Sequence, residues 1–375
     1  MPKSAFIYSH ELSNHTLRND HPMKPYRLKY TYELLNAYGA FNETNSLLLP
    51  PRNATTEELE LIHTREYISA VKDLSMNGDS AISHQFGFST LGDNPVYERM
   101  YDSALLSTGS TMFAAKLISE NQVDRVFNIS GGLHHAAPDH ASGFCIFNDP
   151  ALAIKFLLNS GKRVAYIDID AHHGDGVQNA FYDNDQVLTI SLHESGQYLF
   201  PGTGFVKESG EPPGVGYSVN IPLFPYTGDD VYVETFKSVV LPLVRTFRPD
   251  VLITQLGVDG YHTDPLTHLQ LTTRGFLDVI QLFSDMQLPW LALGGGGYDV
   301  GAVARCWSLA YGQMIGLTLP NNIPTDLVQF TGTDQLRDSI IPTVPSDIQQ
   351  ECKNTARLNV EDIKANIFPI FGLVD

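Results

Sequence analysis

The chain has 375 residues, 43% of them hydrophobic and 18% charged, which excludes a disordered or fibrous protein and is enough for a large core. A formal net charge of −18 works against nucleic acid and anionic membranes as partners and favours basic ones, such as lysine-rich peptides or polyamines. Cys145, Cys306 and Cys352 lack zinc spacing and suit a reducing compartment, and no apolar run is long enough for a signal peptide or a bilayer span, so a soluble cytoplasmic protein is expected.

Ala5 to Tyr8 reads as a first strand, followed by a polar loop with His10, His15 and His21. Leu28, Tyr32, Leu35 and Tyr38 recur at helical spacing up to Gly39. Thr55 to Glu58 is a capping box that opens a helix running on through Leu61 to Ile68. Asn77 to Asn94 is aperiodic and reads as a loop, and Val96 to Ser119 as a long helix. From there strands and helices alternate. Val126 to Ile129, Val164 to Asp168, Val187 to Leu192, Tyr217 to Ile221, Val251 to Gln255 and Trp290 to Leu293 read as strands. Pro150 to Leu158 (capped by Asp149), Val177 to Phe181, Val231 to Thr246, Thr273 to Gln287 and Val300 to Ile315 read as helices. The proline-containing last stretch, 316–375, should wrap the body as short helical pieces.

This alternation predicts a mostly parallel sheet with helices on both faces, because the strands are continuous Val/Ile/Leu runs. One domain over 1–375 is expected, with its core at about 5–315. Polar clusters follow five strands: Gly131 to His135, Asp168 to Asp175, Ser191 to His193, Gly257 to Asp259 and Gly294 to Tyr298. Ligands bind outside the carboxyl ends of such strands, so all five should converge on one crevice.

The stretch from Tyr166 to Gly176 carries the densest chemistry. In extended chain Asp168, Asp170 and His172 share one face, and carboxylate with imidazole suits Zn²⁺, with Fe²⁺, Co²⁺ or Mn²⁺ as alternatives. Asp259 offers a third ligand from another strand end. Two or three protein ligands leave a position open for water, the mark of a catalytic site. His134 and His135, pointing apart, would each pair with a carboxylate and move protons. The glycines before Tyr298 could place its phenol as a donor to a developing oxyanion. No Lys-Ser/Thr follows them, so a P-loop is excluded.

The motifs His21-Pro22-Met23-Lys24-Pro25, Gly131 to His135, Ala141 to Cys145, Asp168 to Gly176, Phe200 to Gly204 and Gly294 to Tyr298 together resemble the zinc-dependent histone deacetylase superfamily, most closely its bacterial acetoin-utilisation branch. The resemblance spans roughly Phe6 to Ile315 and implies an arginase/deacetylase α/β fold around an eight-stranded sheet. It implies Asp170, His172 and Asp259 as zinc ligands, with Fe²⁺ as an alternative in the cell. It pairs Asp168 with His134 and Asp175 with His135, and makes His135 the general base and acid. It assigns Tyr298 to the carbonyl oxygen and Phe144 and Phe200, with Gly143 and Leu266, to a narrow acyl-lysine tunnel. Asp93 would hold the substrate backbone, and Arg27 would help acetate leave. Two structural K⁺ or Na⁺ sites are implied: Asp168, Asp170, His172, Ser191 and Leu192, then Phe181, Asn184, Val187 and Tyr217.

The implied reaction is hydrolysis of N6-acetyl-lysine in a protein or peptide, releasing acetate and free lysine. Departures at Leu199, Ala136 to His140 and Gly260 to Thr263 touch the rim and tunnel and bear on substrate choice. An acetylpolyamine hydrolase of the same superfamily is the alternative. A binuclear manganese ureohydrolase would need a Ser-x-Asp-x-Asp run that is missing near Asp259, and a non-catalytic binding module would not need these catalytic positions intact. Oligomeric state stays open.

Overall fold

The computed structural model describes residues 3–373, so the two residues at each end of the expected 1–375 unit lie outside it. Its elements run β1 (Ser4–Ile7), α1 (Tyr26–Ala37), β2 (Ser46–Leu49), α2 (Thr56–Leu59), α3 (Arg65–Asn77), α4 (Met100–Ser119), β3 (Arg125–Asn128), α5 (Asp149–Asn159), β4 (Val164–Asp168), α6 (Asp175–Ala180), β5 (Val187–Glu194), β6 (Ser218–Leu223), α7 (Asp229–Phe247), β7 (Val251–Gln255), α8 (Thr273–Asp285), β8 (Trp290–Leu293), α9 (Val300–Ile315), α10 (Val328–Thr331) and α11 (Ser346–Asn366). The strands form one eight-stranded sheet in the order β2-β1-β3-β8-β7-β4-β5-β6, and every pairing is parallel.

Alternate residues of the six inner strands enter two different cores. Phe6, Phe127, Ala165 and Ile167 pack on one face with α7, α8 and α9, where Trp307 and Phe236 are fully buried. Ala5, Ile7, Val126, Val164 and Tyr166 pack on the other with α4 and α5. Both faces are therefore apolar, as continuous apolar strands require. Because β8 and β7 lie between β3 and β4, the loops leaving these four strands meet at the carboxyl edge, at a topological switch point.

Several elements differ from the sequence reading. The capping box at Thr55 is formed, but α2 lasts four residues, and α3 starts afresh with Thr64 Oγ1 capping the Tyr67 N–H. The long fourth helix begins at Met100 rather than Val96. Asn148, not Asp149, caps α5. Strand β2 is an addition to the expected strands, since its short Leu47-Leu48-Leu49 run has neither alternation nor β-branching to mark it. The tail is not only short pieces, since α11 has 21 residues. It covers the edge strand β6, with Asn359 Nδ2 donating to Pro222 O at 2.6 Å. Among the described residues no helix is long and apolar enough to cross a membrane.

Candidate active and metal site

Strand β4 ends at Asp168, and the chain beyond it is shaped by its own carboxylates. Asp168 Oδ1 accepts the Asp170 N–H at 3.0 Å, and Asp170 Oδ1 accepts the His172 N–H at 3.0 Å. These turns end the simple alternation. Asp170 and His172 face Asp259, while Asp168 turns away to accept from Tyr166 Oη and His134 Nδ1, both at 2.8 Å. The expected one-sided trio is thus split between two tasks.

Asp170, His172 and Asp259 are buried, and their ligand atoms lie within 4.8 Å of one another. His172 Nδ1 is 2.9 Å from Asp259 Oδ2 and 3.2 Å from Asp170 Oδ1. The outer oxygens are tied down: Asp170 Oδ2 accepts the Gly296 N–H at 2.7 Å and Gln255 Nε2 at 3.3 Å, and Asp259 Oδ1 accepts the Ala171 N–H at 2.7 Å. Burial, then the neighbouring Asp170, pushes Asp259 up to about 7. Burial works against a charged His172, yet Asp170 and Asp259 together hold it up at about 10. Two buried carboxylates in contact call for a cation, and two oxygens with one imidazole nitrogen fit a divalent ion such as zinc.

The adjacent histidines do not point apart. Their Nε2 atoms are 3.0 Å from each other, while each Nδ1 turns outward, His134 to Asp168 at 2.8 Å and His135 to Asp175 at 2.7 Å. The bend after Gly132, at φ +92, makes this possible where an extended chain could not. Burial disfavours a charge on either ring. Asp168 and Asp170 outweigh it for His134, which is raised to about 9. For His135 burial and the charge of His134 win, and it falls to about 4. One ring is therefore charged and the other neutral at neutral pH.

Aromatic walls flank this centre. The Phe200 ring lies 5.1 Å from that of His135, and the Phe144 ring 5.6 Å from that of Tyr298. Gly143 and Phe144 both take left-handed φ, 50° and 69°. A Cβ on Gly143 would sit 2.4 Å from the His135 ring, so only glycine lets the wall approach so closely. Leu266 is half-buried near Tyr298, the two being joined through Asp264. Asp93 is exposed at the outer edge, its carbonyl 3.0 Å from His21 Nε2. Arg27 is buried, donates to Gly295 O at 2.6 Å and Gly297 O at 2.8 Å, and lines a cavity of about 80 Å³ shared with Leu133 and Phe144.

Not every cluster converges. Ser191 to His193 lies inside β5 rather than after it, and His193 supports the Phe200 loop by pairing with Gly204 O at 2.9 Å and Ser191 Oγ at 2.8 Å. Asp168 and Ser191 are register partners, beside Leu192. Phe181, Asn184, Val187 and Tyr217 gather instead at the start of β5. The sequence reading missed Gln255, whose Nε2 also donates to Gly132 O at 2.8 Å, and Asp264. Asp149 is not a helix cap: its carboxylate accepts the Gly132 and Leu133 N–H groups and so sets the His134 turn. A polar residue closing an apolar strand was the only signal for Gln255.

Residues 21–314 match the histone deacetylase domain family. The chain is 41% identical over 338 residues to the acetoin utilization protein AcuC of Bacillus subtilis, covering 88% of this chain and 86% of that protein. It is 37% identical over 334 residues to human histone deacetylase 1, covering 88% and 69%. A crystal structure of an HDAC homolog complexed with SAHA aligns at a TM-score of 0.86 and 32% identity, over 96% of this chain and 100% of that one. An HDAC homolog from Aquifex aeolicus aligns at 0.85 and 30%, with the same coverage.

Proposed function

This chain belongs to the histone deacetylase family, with the arginase/deacetylase fold and an amide-hydrolysing activity, and on that premise we propose that it removes the acetyl group from N6-acetyl-lysine of proteins or peptides with zinc at Asp170, His172 and Asp259. The observation that carries this reading is the meeting of that donor set with two histidine–carboxylate pairs at one crevice.

A zinc ion held there would supply Lewis-acid polarisation of the amide carbonyl and a lowered pKa for its water. The chain's own groups do the rest. His135, neutral at neutral pH, would exchange its Nε2 contact with His134 for the attacking water, take that water's proton there, and later give one to the leaving lysine amine. Asp175 orients its ring from Nδ1. His134, kept charged by Asp168, balances the negative charge that develops beside it. Burial, then Asp259, keeps the Tyr298 phenol protonated, and it donates to the oxyanion.

Phe144 and Phe200, with Gly143 and Leu266, enclose the lysine methylenes, and Asp93 at the rim accepts from the substrate backbone. Arg27 faces the inner cavity that would receive acetate. Fe²⁺ is the alternative metal. K⁺ or Na⁺ would be held by Asp168, Asp170, His172, Ser191 and Leu192, and by Phe181, Asn184, Val187 and Tyr217. We read the whole chain as one cytoplasmic deacetylase unit.

The test is release of free lysine from an acetyl-lysine peptide by the zinc-loaded protein, run beside release of amine from acetylated putrescine, with Tyr298→Phe as control. Peptide turnover lost in the control supports the reading. Polyamine turnover with a silent peptide would reassign the substrate to a small amide.

A further inference from the structure

Tyr298 follows four glycines, Gly294 to Gly297, which offer no side chain to anchor the loop. Gly295 and Gly297 take φ of +97° and +127°, so the loop depends on hydrogen bonds for its shape. Most of these hold the glycines: the Gly294 N–H donates to Asn128 O at 3.1 Å, the Gly295 N–H to Gly131 O at 2.9 Å, and the Gly296 N–H to Asp170 Oδ2 at 2.7 Å. The Tyr298 N–H is held differently. It donates to Asp264 Oδ2 at 2.7 Å, while Asp264 Oδ1 accepts the Leu266 N–H at 3.0 Å.

Asp264 is only 8% exposed, five residues past Asp259 on the same loop. The Asp264 N–H donates to Tyr261 O at 2.8 Å, and the neighbouring Thr263 hydroxyl donates to the Asp299 carboxylate. Asp299 in turn caps α9, accepting the Gly301 and Ala302 N–H groups. One buried carboxylate thus ties Tyr298 to the loop that carries a metal-facing residue and a tunnel wall.

We infer that Asp264 is a positioning residue for Tyr298, fixing the backbone from which the phenol reaches the substrate oxygen, and so acts on turnover and not on substrate capture. The inference rests on the deacetylase reading above. A buried carboxylate facing the Tyr298, Leu266 and Asp299 N–H groups keeps them in place, whereas alanine frees the tyrosine at the end of a glycine run. A displacement of about 1 Å at a reacting group costs on the order of 100-fold in rate.

The experiment is a double-mutant cycle on the zinc-loaded protein with an acetyl-lysine peptide, using Asp264→Ala, Tyr298→Phe and both together. Asp264→Ala alone is expected to lower kcat about 10- to 100-fold with KM within about threefold. In the Tyr298→Phe background the same change is expected to alter kcat less than about twofold, because the group it positions is already gone. An equal drop in both backgrounds overturns the inference. Should Asp264→Ala fail to fold, Asp264→Asn, which keeps one acceptor, takes its place in the cycle. Hydrogen exchange of metal-free protein reads the same contact without catalysis: Asp264→Asn should speed exchange in the segment 294–299 and leave 164–175 unchanged. Unaltered exchange in 294–299 overturns the inference too. A fully active Tyr298→Phe would instead refute the oxyanion role in the deacetylase reading, and the exchange result would still decide whether Asp264 holds the loop.

Discussion

His134 Nε2 and His135 Nε2 lie 3.0 Å apart, close enough that one must donate to the other, while separate carboxylates hold their opposite nitrogens. Two imidazolium rings cannot face each other this way. The pair therefore divides into a charged ring on Asp168 and a neutral ring on Asp175.

That division predicts unequal losses. His135→Gln should cut kcat on an acetyl-lysine peptide by about 10²- to 10⁴-fold, the usual contribution of a general base. His134→Gln should cost at least about tenfold less, since it removes a charge rather than the proton acceptor. Equal losses in steady-state kinetics would contradict the division.

Removing the Tyr298 hydroxyl should cost about 10²- to 10³-fold in kcat, as loss of an oxyanion donor does, with KM nearly unchanged. A rise in KM at constant kcat would instead make Tyr298 a ground-state contact.

Metal binding should be visible without substrate. Zinc at 100 times its Kd should stabilise the metal-free protein by about 2.7 kcal/mol, read as a rise in melting temperature. Asp259→Asn should abolish most of that rise. A full response in the variant would place the ion elsewhere.

Stability should fall with acid through His63. Its Nε2 accepts the Asn148 N–H at 2.9 Å, so the ring is neutral, and burial lowers it from 6.5 to about 4. Between those values the unfolded chain binds the proton and the folded one does not. The contribution is therefore complete above pH 6.5 and is lost as the pH falls toward 4, about 3 kcal/mol in all. Urea unfolding from pH 7 to 5 should show a steeper loss in the native protein than in His63→Gln. Parallel curves would exclude His63.

The tail should be held by an ion pair between the buried Arg305 and the half-buried Asp338. Asp338 Oδ1 accepts from Arg305 Nη1 and from Tyr261 Oη, each at 2.7 Å. Asp338→Ala leaves the buried Arg305 guanidinium without its carboxylate and with Tyr261 Oη still accepting from Nη2 at 2.6 Å, for an expected loss of up to about 3 kcal/mol in chemical denaturation. Replacing both partners, as Asp338→Leu with Arg305→Met, should cost less than the single change.

Local sequence alone carries the parallel α/β architecture and the residue types of the candidate metal and proton-transfer groups. Hydrophobic runs of strand length and polar clusters at their ends are local signals, and Asp170, His172, His134 and His135 stand in such clusters. What it left open depends on which distant chains meet. Asp168 turns from the candidate metal face to His134, 34 residues earlier, which reaches it from the loop after β3. The two histidines face each other because Asp149 accepts the Gly132 and Leu133 N–H groups and shapes their turn. Strand order, the partners of Gln255 and the grip of Asp264 on Tyr298 carry no periodicity of their own. They follow from long-range packing, which fixes the position of buried polar atoms only after the sheet has closed and each must find its hydrogen bond within it.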